Sequence, residues 1–225
     1  MVYRLAASLV ASLALAAGLW VSGPSASAAG EPGQVITVRA QTATSTTAVL
    51  EAWEERDGEF VRVRGPIDVY VGKDGVGLAS ERRSRTPRGV FTLTEAFGRA
   101  KDPGTALPYV RVGLSHWWVS DVKSRYYNTM RVCKPGSHCG FRQDRAEHLG
   151  TVAPYTYAVV IDYNRDPVIK GAGSGFFLHV SEGKPTAGCV SMPVADMKWL
   201  LRWLDPADSP VISINIGDAA YDVLD

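Results

Sequence analysis

The chain has 225 residues, with 24 Lys and Arg against 23 Asp and Glu and a formal net charge of +1. So even a balance gives no support to phosphate-backbone binding, which needs concentrated Lys and Arg, and no nucleic-acid partner is expected. An apolar fraction of 46% with 22 Gly, 13 Pro and only three Cys describes an ordinary globular protein, neither disordered nor disulfide-dense.

The first segment, "MVYRLAASLVASLALAAGLWVSGPSASAA", carries one basic residue, Arg4, then an apolar run from Leu5 to about Val21, and closes on Ala26-Ser27-Ala28. A basic start, an apolar run and a small-x-small site are the parts of a secretory signal peptide, here residues 1–28. The alternative is a retained transmembrane anchor, for which the run is just long enough. Its many Ala and Ser make it weakly hydrophobic, and no cysteine stands near the cleavage site to take a lipid. The expectation is a protein exported to the cell wall or beyond. Residues 29–225 then form a single domain with no stable membrane association once the signal is removed.

The mature chain begins with strands. "QVITVRA" and "TAVLEAWEE" alternate apolar and polar residues, and Asp57-Gly58 supplies a hairpin signal. "FVRVRG" and "IDVYVG" continue the alternation, with "KDG" as the next turn. "TPRGVFTLTEAF" predicts a turn and then a strand from Val90 to about Thr94, and "YVRVGL" and "HWWVSD" predict two more. Residues 120–150 are polar and form a long excursion, and such excursions are often lids. "YTYAVVIDYN" and "SGFFLHV" have the continuous apolar character of buried strands. "PVADMKWLLRWLD" predicts a helix, with Val194, Met197, Leu200, Leu201 and Leu204 on one face and Pro193 near its first turn. Trp199 and Trp203 flank that stripe as packing residues, and "PVISINIG" is a last strand. Many short strands and few helices indicate a mainly β, sandwich-like or barrel domain.

Exported cysteines tend to pair. Cys133 and Cys139 flank the turn formers Pro135 and Gly136 in "RVCKPGSHCG", which suits a local disulfide. The competing reading is a metal site on Cys133, His138 and Cys139. It is disfavoured because adjacent His138 and Cys139 are awkward joint ligands and no second pair at zinc spacing follows. No metal or cofactor is expected. Cys189 is then left over. It is either a small buried hydrophobe or a reactive thiol, and the small polar residues around it, Thr186, Ala187, Gly188 and Ser191, favour an accessible loop.

His179 ends the apolar strand "GFFLH", and the loop "VSEGKPTAG", with Gly183, Pro185 and Gly188, returns the chain to Cys189. A thiol with an ordinary pKa near 8.5 is only a few per cent thiolate at neutral pH, and a neighbouring imidazolium lowers that value. The same histidine can return a proton to a leaving amine. Amides at Gly188 and Cys189 are candidates to face a developing oxyanion.

"GSGFFLHVSEGKPTAGCVSMP" resembles the signature of the L,D-transpeptidase (YkuD-like) catalytic domain, a His followed by a loop and Ser/Thr-x-Gly-Cys, here His179, Thr186, Gly188 and Cys189. "TPRGVFTLTEAFG" is similar to that family's Thr-Pro-x-Gly-x-Phe turn, and "HWWVSDVKSRYYN" resembles a segment of secreted actinobacterial-type members. The three motifs stand in the family's order between about residues 60 and 216. The resemblance implies a mainly β sandwich-like fold and an acyltransferase acting on peptidoglycan stem peptides. Cys189 would attack the L,D-peptide bond of a donor tetrapeptide, releasing D-Ala, and the acyl group would pass to an amine of another stem as a 3→3 crosslink. It further implies His179 as general base, the Val180 carbonyl as its orienting group, the Gly188 and Cys189 amides as oxyanion donors, and carbapenems as covalent inhibitors. Thr186, Gly183 and Ser191 are the implied substrate contacts.

Two departures stand out: Ala187 where many members have His, and Ser191 where many have Arg. A cationic contact would then come from elsewhere, with Arg131, Lys134, Arg142 and Arg145 of the excursion as candidates. His116, His138 and His148 receive no catalytic role. An L,D-carboxypeptidase using water, and a non-catalytic wall-binding module, stay open as alternatives. The oligomeric state is not legible.

Overall fold

The computed structural model describes residues 31–225, so the signal-peptide segment 1–28 lies outside the described residues. Ten strands join in one mixed sheet. In chain order its members are β1 (Gln34–Ala40), β2 (Thr47–Arg56), β3 (Glu59–Tyr70), β6 (Gly89–Thr92), β7 (Ala96–Gly98), β8 (Tyr109–Arg111), β12 (Ala158–Val160), β13 (Phe177–Val180), β14 (Val190–Met192) and β15 (Val211–Ile216). Spatially they run β6-β15-β1-β2-β3-β14-β13-β12-β7-β8. The short strands β4 (Val76–Gly77) and β5 (Thr86–Pro87) pair with each other, and β9 (His116–Val119) stands between β10 (Met130–Val132) and β11 (Ala146–His148). The domain is mainly β, with one α-helix among the described residues, α1 (Val194–Trp203).

Local chemistry sets the first hairpin. Asp57 (φ 55°) and Gly58 (φ 87°) both take left-handed backbone, the two-residue turn whose twist matches paired strands. The two strands predicted over residues 60–72 are one, β3, because an irregularity in its pairing with β2 near Glu51 absorbs the Gly65-Pro66 interruption. "YTYAVVIDYN" is shorter than predicted. Ala153–Thr156 form a 3-10 turn begun by Pro154, which has no amide for a ladder, and only Ala158–Val160 are strand.

Helix α1 follows the Cys189 segment and presses Met197, Leu200, Leu201 and the adjoining Leu204 into the main core, with Ile36, Val38, Leu178, Val190 and Ile214. Val194, predicted on that stripe, is 45% exposed and lies outside the core that Met197, Leu200 and Leu201 enter. Trp199 and Trp203 stack at 5.4 Å and pack against the core. Among the described residues no helix is long and apolar enough to cross a membrane.

The excursion is organised around Trp118. Its ring meets Phe177 edge-on at 4.9 Å, within a second buried cluster that includes Phe97, Tyr155 and Cys189. Asn128, 1% exposed and left-handed (φ 59°), ties this unit to the rest. Its Oδ1 accepts from Trp118 Nε1 and the Gly175 amide, both at 3.0 Å. Its Nδ2 donates to the carbonyls of Tyr163 (3.1 Å) and Asn164 (2.7 Å). Truncating it strands several buried polar groups, each at about 1–3 kcal/mol. Asn128→Ala is expected to lose about 3 kcal/mol of stability and about 10 °C of melting temperature. A thermal melt within about 2 °C of wild type would contradict this role.

Candidate active site

The site is built by one strand pair. β13 and β14 run parallel, with Leu178 opposite Val190 and His179 opposite Ser191. Side chains alternate along a strand. Leu178, Val190 and Met192 therefore enter the main core, while Phe177, His179, Cys189 and Ser191 face the other way. His179 and Cys189 are diagonal neighbours there. A strand spacing of about 4.8 Å and a rise of about 3.3 Å per residue separate their Cα atoms by roughly 8 Å, a gap that an imidazole and a thiol close from both sides. Both line a cavity of about 620 Å³, with Tyr155, Glu147, Gly175, Thr186, Gly188 and Ser191.

The loop between them is pinned at its end. Thr186 bridges to Gly72, its amide donating to the Val71 carbonyl and its carbonyl accepting from the Lys73 amide, each at 2.9 Å. The Thr186 hydroxyl donates to the Cys189 carbonyl at 2.6 Å and accepts from the Gly188 amide at 3.0 Å. Thr86, the buried threonine of "TPRG", accepts from the Gly72 amide (2.8 Å) and donates to the same Cys189 carbonyl (3.4 Å). Gly188 has φ +142°, and a Cβ there would meet the Phe176 ring at 2.7 Å and the Arg85 carbonyl at 3.0 Å. Only glycine fits.

The resting charge state differs from the one the sequence suggests. Cys189 is 7% exposed rather than on an open loop, because the second cluster closes around its sulfur. Burial pushes its thiol well above the ordinary value, and the charge of Glu147 adds to this. A hydrogen bond from the Phe177 amide and one from Tyr155 act against it. Burial pushes His179 down, opposed by the Val180 carbonyl and by Glu182. The pair is thiol and neutral imidazole, so an imidazolium does not lower the thiol at rest. The thiol donates to the Gly175 carbonyl at 3.5 Å. His179 Nδ1 lies 2.8 Å from the Val180 carbonyl. A carbonyl only accepts, so Nδ1 carries the proton and Nε2 is left with a free lone pair.

The remaining predicted residues separate. Thr186 and Ser191 line the cavity, and the buried Ser191 hydroxyl has no hydrogen-bond partner. Gly183 does not line it. It sits exposed on the loop, its amide turned back to the Ser181 hydroxyl at 3.0 Å. The Gly188 amide, expected to face an oxyanion, is taken by Thr186, whereas the Cys189 amide is engaged by none of the loop's hydrogen bonds. Cys133 and Cys139 are joined as a disulfide, which removes two ligands from the alternative metal site with His138. Of the four proposed cations only Arg145 lines the cavity. Arg131 lies over the Tyr126 ring at 4.0 Å, and Arg142 pairs with Asp144. His116 Nδ1 accepts from the Gly113 amide, and His148 stacks on Trp117 at 4.0 Å.

Sequence reasoning missed Arg82 and Arg83 on the rim, and Glu147 and Tyr155 on the floor. Tyr155 is 3% exposed and donates to Glu147 Oε1 at 2.7 Å. Burial raises the Glu147 carboxyl to about 7, only partly offset by that bond. No periodicity marks either residue.

One family model matches the chain, over residues 35–212: the YkuD L,D-transpeptidase catalytic domain. No curated protein and no solved structure matches it.

The two loop glycines make a test. Gly188→Ala is expected to destabilise by about 2–3 kcal/mol through strain and overlap. At Gly183 (φ +73°) a Cβ meets nothing within 4 Å, so Gly183→Asn is expected to cost under about 1 kcal/mol. Equal losses in urea titrations would contradict the account of the loop.

Proposed function

From the premise that the chain belongs to the YkuD family of L,D-transpeptidase catalytic domains, we propose that it is an exported acyltransferase acting on peptidoglycan stem peptides. Cys189 is the nucleophile and His179 the general base. One observation carries this reading: the only free cysteine among the described residues and a histidine with an available Nε2 line the same cavity, placed by one strand pair.

In the proposed reaction the thiol turns from the Gly175 carbonyl toward Nε2 and gives up its proton there. The sulfur attacks the carbonyl of the L,D-peptide bond in a donor tetrapeptide, and the Cys189 amide faces the oxyanion. Collapse breaks the C–N bond. Nε2–H protonates the leaving D-Ala amine, leaving a thioester on Cys189. An amine from a second stem then attacks the thioester, His179 takes its extra proton, and the thiol reforms with a new amide, the 3→3 crosslink. The Val180 carbonyl holds the ring in the tautomer this sequence requires. Arg82, Arg83 and Arg145 stand at the rim in place of the cation missing at position 191, suited to stem carboxylates. Export rests on the pattern of residues 1–28.

A carbapenem is expected to add its mass once to the intact protein, on the peptide containing Cys189, and Cys189→Ala is expected to show no adduct. With a stem tetrapeptide and an added amine acceptor, the crosslinked mass is expected, and release of tripeptide alone would assign water as acceptor. His179→Ala should fold and acylate roughly 10²–10⁴ times more slowly. Adduct formation in Cys189→Ala at the wild-type rate would sink the proposal.

A further inference from the structure

The Cys–His mechanism leaves one half-buried acid in the same cavity as the nucleophile unused. Glu147 is fixed by the pairing of β11 with β9, opposite Trp118, and its carboxyl reaches into the cavity floor beneath Gly175. Its partner Tyr155 comes from the 3-10 turn before β12, and its ring is held edge-on by Phe97 (5.5 Å), Phe177 (5.4 Å) and His179 (5.5 Å). The Tyr155 hydroxyl therefore has little freedom to move. Its one proton goes to Glu147 Oε1 at 2.7 Å, and the ring shares a buried cluster with Cys189, whose thiol is held at the carbonyl of Gly175, the residue that the Glu147 carboxyl underlies.

We propose that Glu147, acting through Tyr155, sets how readily Cys189 gives up its proton, and so is a positioning residue for the nucleophile. The proposal rests on the reading of Cys189 as nucleophile. When Glu147 is neutral, its O–H donates to the Tyr155 oxygen and Tyr155 donates to the sulfur, which favours thiolate. When Glu147 is ionised, Tyr155 donates to the carboxylate instead. The sulfur loses that donor and faces a nearby negative charge, which favours thiol.

The groups around Glu147 do not supply a competing charge. Trp118 from β9 presents an indole whose N–H goes to Asn128, and no salt bridge among the described residues reaches Glu147. Tyr155 is held far above its ordinary value, mainly by burial and then by Glu147, so it stays a phenol. His179 beyond it is pushed down by burial and titrates on the acid side of Glu147. Arg82, Arg83, Lys184 and Arg145 stand with Glu81, Glu182 and Asp144 around the cavity, a mixed set without one dominant sign.

Two coupled acids give a distinctive profile. Alkylation of Cys189 by iodoacetamide, followed by intact mass from pH 5.5 to 10, should rise about tenfold per unit up to about pH 7. It should then flatten, since each further proton lost comes from Glu147 at no gain in thiolate, and rise again at higher pH. The disulfide cysteines do not react. In Glu147→Gln the flat segment is expected to vanish and the rate at pH 8.5 to exceed wild type by at least about fivefold. In Tyr155→Phe the flat segment is expected to shrink to less than half its width, and this variant carries the test if Glu147→Gln fails to fold by thermal melt. A single smooth rise in wild type, or a wild-type profile in either folded variant, overturns the proposal. A flat segment lost in Glu147→Gln but kept in Tyr155→Phe overturns the route through Tyr155. Alkylation needs no stem peptide or carbapenem. A protein that shows this profile yet takes no carbapenem would remove the transpeptidase reading and leave the coupling standing.

Discussion

The parallel pairing of Phe177–Val180 with Val190–Met192 is the constraint on which the site depends. Because side chains alternate, one register decision commits Leu178, Val190 and Met192 to the core and turns His179, Cys189 and Ser191 toward the cavity. A slip of one residue would bury the imidazole among Val38 and Leu201 and expose two aliphatic side chains. Core burial at about 25 cal/mol per Å² thus sets where the imidazole and the thiol stand without any bond between them. The helix that follows contributes to the same end. By seating Met197, Leu200 and Leu201 in that core, α1 fixes the chain immediately after Cys189.

Register alone does not aim the Cys189 backbone. That depends on a small set of hydroxyls and one glycine. Thr186 and Thr86 both donate to the Cys189 carbonyl, from opposite directions in the sequence, and Gly188 lets the chain pass between Phe176 and the Arg85 carbonyl. The two sequence motifs that stand about a hundred residues apart, "TPRG" and "TAGC", are therefore parts of one hydrogen-bonded unit. Asn128 does the equivalent behind the cavity, where its Oδ1 takes the Gly175 amide and so holds the residue whose carbonyl accepts the thiol's hydrogen bond.

What the sequence made legible was whatever is decided locally. Asp57-Gly58 specifies its turn by backbone preference alone, and the apolar stripe of α1 is a matter of helical period. The His-loop-Cys segment carried its pairing in the alternation of "FLHV" and "CVSM". Tertiary setting decided the rest. Pro154 turned the start of "YTYAVV" into a 3-10 turn, which puts Tyr155 into the cluster that holds Cys189. The Gly188 amide was claimed by a hydroxyl two residues away, a side-chain choice that composition does not reveal. Arg82, Arg83 and Glu147 reach the cavity from β4–β5 and from β11, and no spacing rule connects those segments to Cys189. Small polar neighbours suggested an exposed thiol. They instead reflect close packing of backbone around a sulfur that is enclosed.

That enclosure bears on how a free thiol survives where the enzyme is proposed to work. Oxidation and stray alkylation both require thiolate. A sulfur pushed up by burial, and held as S–H against the Gly175 carbonyl, is disfavoured as thiolate and so shielded from both. His179 is kept neutral by the same desolvation, the state that its proposed role as base requires. In the proposed reaction the deprotonated sulfur is then needed only when a bound carbonyl is present to receive it. On the proposed reading, burial that looks unfavourable for reactivity would confine the reactive form to the time when it is useful, the more demanding requirement for a thiol exported to an oxidising compartment.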